Sequence, residues 1–430
     1  MKNNFIKNAG YLLLKNGKIY DSFTKTSDRK DILIQDGRIL KIEANIERNE
    51  NFREIDCKNK IITNGFIDLH SHFREPGFEF KETIETGAKA AFIGGYTRVC
   101  TMPNTNPVID TPELVKHTIS LAEKLPIYIY PIGAITKSQK GLELSEIGQM
   151  VEAGAVAISD DGLPVNNSQI MRYALEYAKK FNIPVINHAE DCCLVNEGLM
   201  HEGLNSLKLG LTGNPDISES TMIFRDLSIA EYVGGKLHIP HISTKKSIEV
   251  INIFKKRGVN VSVEVTPHHL YFSDDKLNNY DTNAKVAPPI RSVSDRNALI
   301  TAVKDGVIDC VATDHAPHSI DDKEKDFQNA SCGMIGLESA FGLVNSIMRD
   351  HLSIERIIDL FTLNPSKVMN IKSNSILEGN EAEINIIDFD KEWKFSNSDI
   401  LSKSKNSPVV GEVLKGKVVM TMNRGFISPE

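Results

Sequence analysis

The chain has 430 residues, of which 41% are hydrophobic and 25% charged, enough apolar material for a large buried core. A formal net charge of -7 gives no electrostatic ground for nucleic acid or an anionic membrane as partner, and no stretch is long and apolar enough to span a bilayer. The six cysteines are scattered without a C-x-x-C, which argues against a disulfide framework or a thiolate zinc site.

Residues 1–64 hold short alternating runs, Tyr11 to Leu14, Asp31 to Ile34 and Ile39 to Ile42, with no helical period. Asn16-Gly17 and Asp36-Gly37 break them, and each is a hairpin signal. Tyr11 to Leu14 is too short for the apolar core of a signal peptide, so a cytoplasmic location is expected. GFIDLHSHFREPG comes next, at 65–77. Alternation in a strand sends Asp68, His70 and His72 to one face and Ile67, Leu69 and Ser71 to the other. Two imidazoles so spaced can chelate a metal ion, although such a pair alone is weak evidence.

Apolar β-branched runs then recur at IDLHSH, TRVCTMPN, IYIYPIGA, AVAISDDG, PVINHAE, KLHIPHIS, VSVEVTPHH and CVATDHAPH. Between most of them lie amphipathic stretches of helical length, such as Pro112 to Lys124, Ser168 to Phe181 and Arg225 to Gly234. Eight strands is the number that closes a parallel (β/α)8 TIM-like barrel, and each run turns polar at its C-terminal end, where barrel enzymes keep their chemistry. From about Glu381 the chain returns to strands punctuated by glycine. The expected architecture is α/β: a barrel over 65–371 with a small β-sandwich domain built from both chain ends, 1–64 and 372–430.

The polar strand ends supply His70 and His72, Asp160 and Asp161, His188, His238 and His241, then Asp314, His315 and His318. One histidine at a strand end is more often a satisfied polar residue than a ligand. Several strands delivering imidazole or carboxylate to one rim, without thiolate, fit zinc or another divalent ion.

These residues carry a resemblance. DLHSHFREPG, CTMPNTNP at 100–107, SDDG at 159–162, NHAED at 187–191, LHIPHIST at 237–244, KVAPPIR at 285–291, ATDHAPH at 312–318, NPSKVM at 364–369 and KNSPVVGEVLKGKV at 405–418 together resemble the dihydroorotases of the amidohydrolase superfamily. The resemblance implies one metal ion on His70, His72 and Asp314 and a second on His188 and His241, with Asp161 between them. Asp161 is preferred to Asp160 by its spacing to His188. Related hydantoinases and allantoinases use a carboxylated lysine for that bridge, and AVAISDD on strand four offers none. Zinc, one or two ions per chain, is the implied cofactor.

Asp314 would also carry the proton of the reaction. Arg74 would pair with the substrate carboxylate, with Asn104 and His318 as companions and His72 beside them. Ala287 stands where most relatives have Asn, and Ser331-Cys332-Gly333 where many have Pro-Phe-Gly; Ala287, Cys332 and Gly333 are still expected to line the pocket. The stretch HSIDDKEKDFQN is expected to be a solvated, mobile cover. His238 is expected to be structural, His117, His201 and His351 to be surface or packing residues, and His268 and His269 to sit at the rim without assigned roles.

The implied activity is the metal-dependent, reversible hydrolysis of L-dihydroorotate to N-carbamoyl-L-aspartate in de novo pyrimidine biosynthesis. The alternatives are another cyclic amidase of the allantoinase or hydantoinase kind, and a non-catalytic dihydroorotase-like partner of aspartate carbamoyltransferase. Expected partners are the small-molecule substrate, further copies of the chain in a homo-oligomer, and aspartate carbamoyltransferase as a candidate; nucleic acid and membrane are not expected.

Overall fold

Eight short parallel strands close on themselves in a computed structural model that describes residues 5–7 and 10–429. From first to eighth they are Phe66–Ser71, Tyr96–Thr101, Tyr128–Pro131, Ile158–Ser159, Val185–Ile186, Leu237–Ile239, Val261–Val265 and Cys310–Val311. Parallel ladders join the first three strands to one another and the fourth through the eighth in order. Single bridges complete the cylinder, Gly133 with Ile158 and Ser71 with His315.

A helix comes after each strand, from Ile84–Ile93 after the first to Ala340–Met348 after the eighth. Thr83, Asn167, Thr244 and Ser292 start four of them by accepting a first-turn N–H, which satisfies a donor the helix itself cannot pair. Val99, Ile158, Val185 and Val311 pack with helix residues such as Phe92 and Leu227, while their strand neighbours Cys100, Ala157, Ile186 and Cys310 form a separate apolar cluster. Alternation thus gives the cylinder an outer face under the helices and a filled interior. The helix expected from Arg225 begins earlier, at Ile217, because its first turns bury Ser218, Glu219 and Ser220 and so hide the apolar period.

Strands from both chain ends make two facing sheets. One has seven strands and interleaves Lys18–Asp21 and Ile61–Asn64 with Ile384–Lys394 and Val413–Asn423. The other has four, Arg38–Glu43, Asp31–Gln35, Tyr11–Lys15 and Phe52–Asp56. Leu12, Ile32 and Ile34 from the second pack against Ile62, Ile384 and Met420 from the first. Asp36-Gly37 makes the expected hairpin, but Asn16-Gly17 does not: the strands it joins belong to different sheets. Gly17 turns that corner hard against the core, where a Cβ would stand 2.5 Å from Ile62 Cδ1. Among the described residues no helix is long and apolar enough to cross a membrane.

Candidate metal centre

The C-terminal mouth of the barrel collects the polar strand ends, though not by simple alternation. The ladder between the first and second strands slips, so that Asp68 to Ser71 runs beside Val99 to Thr101. The extra residue re-aims the side chains beyond it. Asp68 does not reach the rim; it accepts the Thr313 N–H at 2.8 Å and the hydroxyls of Thr313 and Ser71. His72 lies beyond the strand and donates its backbone N–H to His315 O at 2.8 Å.

His70, His72, Asp161, His188, His241 and Asp314 converge, all buried. Asp161 divides its carboxylate between two groups. Its Oδ2 lies 3.2 Å from His70 Nε2 and 3.5 Å from His72 Nε2, while its Oδ1 lies 3.3 Å from His241 Nε2 and 3.5 Å from His188 Nδ1. Asp314 Oδ1 closes the first group at 3.1 Å from His72 Nε2 and 3.5 Å from His70 Nε2. In the second group two imidazole nitrogens, His188 Nδ1 and His241 Nε2, stand 3.1 Å apart around one carboxylate oxygen. Nitrogen and carboxylate-oxygen donors lie close enough to hold a divalent cation at His70, His72 and Asp314 and at His70, Asp161 and His241, with His188 beside the second set. Arg74, His241 and Asp314 all have left-handed backbones, at φ 64°, 33° and 48°, conformations that only a surrounding structure holds in place.

Burial opposes charge on His70, yet the Asp161 and Asp314 carboxylates hold its imidazole well above its usual value. Burial likewise opposes charge on His188, but Asp161 and Glu190 raise it to about 10. The reciprocal effect keeps Asp161 and Asp314 below the ordinary carboxylate range despite their burial.

A second layer orients the first. His72 Nδ1 meets Asn104 Oδ1 at 2.8 Å, His188 Nε2 meets Glu190 Oε2 at 2.9 Å, and His70 Nδ1 meets Glu264 Oε1 at 2.8 Å. Sequence reasoning missed Glu190 and Glu264. Glu264 was findable as a lone carboxylate inside the apolar run VSVEV, where a buried charge requires a partner. Asp160 faces away, accepting Ile135 N at 2.8 Å and Thr136 N at 3.0 Å. His315 is turned the other way too, its Nδ1 accepting from Gly336 N at 3.2 Å. His238 is buried against Ser262 and Glu264. His268 and His269 are buried rather than at an open rim, and His269 meets the Pro288 carbonyl at 3.0 Å. His117 and His351 are exposed and His201 half-buried.

Beside the metal groups lies a cavity of about 190 Å3 lined by His72, Arg74, Asn104, Asp161, His188, Ala287, Asp314, His318, Cys332 and Gly333. Arg74 donates from Nε to Pro317 O at 3.2 Å and its Nη2 lies 3.4 Å from His318 Nε2. Burial lowers this guanidinium to about 10. Among the described residues it has no carboxylate in ion-pair range. Burial, with the neighbouring Arg74 and Lys81 cations, depresses His318 to about 3, so its ring is neutral. Gly333, at φ 135°, is required: a Cβ there would stand 2.9 Å from the His318 ring.

The expected mobile cover is instead fastened down. Lys323 Nζ donates to Ser331 O at 2.7 Å and Gly333 O at 3.0 Å, and Lys285 Nζ donates to the carbonyls of Phe327, Gln328 and Ala330 at 2.8–3.0 Å. Two lysines thus hold the loop's backbone carbonyls, and Phe327 is buried in the core.

The family described as dihydro-orotase-like matches residues 59–247. The dihydroorotase of Acetivibrio thermocellus is 44% identical over 419 residues, covering 97% of this chain and 98% of its own. That of Ruminiclostridium cellulolyticum is 43% identical over 417 residues, 96% of this chain and 97% of its own. Among solved structures, an L-hydantoinase (dihydropyrimidinase) from Arthrobacter aurescens superposes with a TM-score of 0.85 at 25% identity, over 97% of this chain and 96% of that one.

Proposed function

The chain belongs to the dihydroorotase family, and from that premise we propose that it hydrolyses the cyclic amide of L-dihydroorotate, reversibly, to N-carbamoyl-L-aspartate in pyrimidine biosynthesis. The observation that carries the substrate class is Arg74: a half-buried guanidinium without a carboxylate in ion-pair range among the described residues, lining the cavity beside Asp161 and Asp314. A substrate carboxylate supplies the missing anion, in the bidentate geometry that arginine favours.

His70, His72 and Asp314 would hold one divalent ion and His188 and His241 a second, with Asp161 between the two sets. Such an ion supplies Lewis acidity, making water nucleophilic near neutral pH and polarising a carbonyl. Asp314 offers Oδ1 to the imidazoles; its Oδ2 has no hydrogen-bond partner among the described residues and is available to take the proton of the attacking water and return it to the departing ring nitrogen. Asn104, His318 and backbone groups of Ala287, Cys332 and Gly333 hold the ring.

Zinc suits a donor set of nitrogen and oxygen without thiolate. We extend the reading to cytoplasmic work, a homo-oligomer, aspartate carbamoyltransferase as a candidate partner, and a division into a barrel, 65–371, and a sandwich, 1–64 with 372–430. The deciding experiment assays zinc-loaded protein on dihydroorotate, allantoin and dihydrouracil while counting metal. Turnover of dihydroorotate alone is expected; turnover only of the neutral rings would sink the carboxylate reading.

A further inference from the structure

His238 and His241 are three residues apart at the end of the sixth strand, yet only His241 faces Asp161. His238 is buried and points at the neighbouring strand. Its Nε2 lies 3.0 Å from Glu264 Oε2 and its Nδ1 2.8 Å from Ser262 Oγ. The other Glu264 oxygen, Oε1, meets His70 Nδ1 at 2.8 Å. An ionised carboxylate only accepts, so both imidazoles must donate to it. His70 then carries a proton on Nδ1, which leaves Nε2 as the nitrogen that faces Asp161 and Asp314 and would ligate. Ser262, at the start of this chain of contacts, lines a different cleft from the substrate cavity, with Leu237 and Asp309. The line Ser262–His238–Glu264–His70 therefore reaches the metal centre from behind, without touching the space that substrate fills.

We propose that His238 is a positioning residue for the metal: acting through Glu264, it fixes the tautomer and ring plane of His70, so that ion affinity depends on a histidine touching neither ion nor substrate. One strand thus serves both ion positions, His241 directly and His238 through the strand beside it. The proposal rests on the reading of His70 as a ligand.

Two substitutions separate this role from simple packing. His238→Gln carries an amide N–H to the Nε2 position and keeps the contact with Glu264. His238→Asn reaches only the Nδ1 position, keeping Ser262 and losing Glu264. Zinc affinity is measured by competition with a chromophoric chelator, beside the melting temperature of the metal-free protein and KM for dihydroorotate at saturating zinc. His238→Asn is expected to bind zinc roughly tenfold to a hundredfold more weakly, the usual effect of removing such a support, with KM unchanged and His238→Gln near the unsubstituted protein. Equal zinc affinity in the Asn variant, or equal loss in both variants tracking their melting temperatures, overturns the proposal. Should His238→Asn fail to fold, Glu264→Gln and its pairing with His238→Ala decide: an effect through Glu264 makes the losses non-additive, and additive losses count against it. If the unsubstituted protein takes up no zinc, it is the metal reading itself that fails.

Discussion

Arg74 is a half-buried cation that has no carboxylate in ion-pair range among the described residues. Replacing it with Met should raise KM for dihydroorotate about tenfold to a hundredfold, the equivalent of roughly 1.5–3 kcal/mol for a charge-assisted hydrogen-bonding partner, while leaving hydrolysis of a neutral hydantoin unchanged. An unaltered KM retires the carboxylate clamp. His318 makes a prediction about acid. Its imidazole is held down to about 3, against about 6.5 in an unfolded chain, so below the higher value the unfolded state binds the proton that the folded state refuses. Stability attributable to this residue is therefore lost as pH falls through that window. His318→Asn should lose less stability between about pH 7 and about pH 5 than the unsubstituted chain does, by urea unfolding; parallel losses contradict it. At this scale much was legible from residue type. Histidines and aspartates at strand ends announce themselves, whereas Glu264 hides because its purpose is visible only once His70 and His238 flank it.

Elements were less readable than residues. The first strand looks like a regular alternation, and its slipped ladder, which re-aims His70, depends on the register of a partner strand about 30 residues later. Asn16-Gly17 reads as a hairpin, yet whether a tight turn pairs two strands or turns a corner between sheets is set by the packing of Ile62 against Gly17. The 318–329 loop reads as a mobile cover because its charges are counted along the chain; Asp321, Glu324, Lys325 and Asp326 are exposed, but Lys285, which secures the loop, comes from another segment. Lys323→Met removes the support beneath Ser331 and Gly333. We expect KM for dihydroorotate to rise about tenfold with a smaller change in kcat, and amide exchange at 331–333 to quicken. Unchanged exchange there would show that the lysine does not hold the loop.

Across the whole molecule, the sandwich is tied to the barrel by Arg98 on the second strand and Glu383 at the head of the returning tail. Nε donates to Oε1 at 2.7 Å and Nη2 to Oε2 at 2.8 Å, and Glu383 is fully buried. Thr97 and Asn374 also donate to this carboxylate. Arg98→Met leaves it buried and short of its main partner, which should cost about 3–5 kcal/mol in urea unfolding, and a loss below about 1 kcal/mol would contradict the pairing as a structural tie. The barrel as a class was readable because its unit repeats: eight apolar runs, each polar at one end, each succeeded by a helix. The sandwich was readable as one small domain built from both strand-rich ends but not in its strand order, since the pairing of Ile61–Asn64 with Ile384–Lys394 joins segments some 320 residues apart.

One oxygen of Asp161 faces each half of the metal centre, and the bridge it offers is made of nothing but an encoded side chain. A lysine carbamate in such a place would have to be assembled after translation from dissolved carbon dioxide and would fall apart in acid. On the proposed reading the bridging anion exists as soon as the chain has folded and needs no carbon dioxide to form.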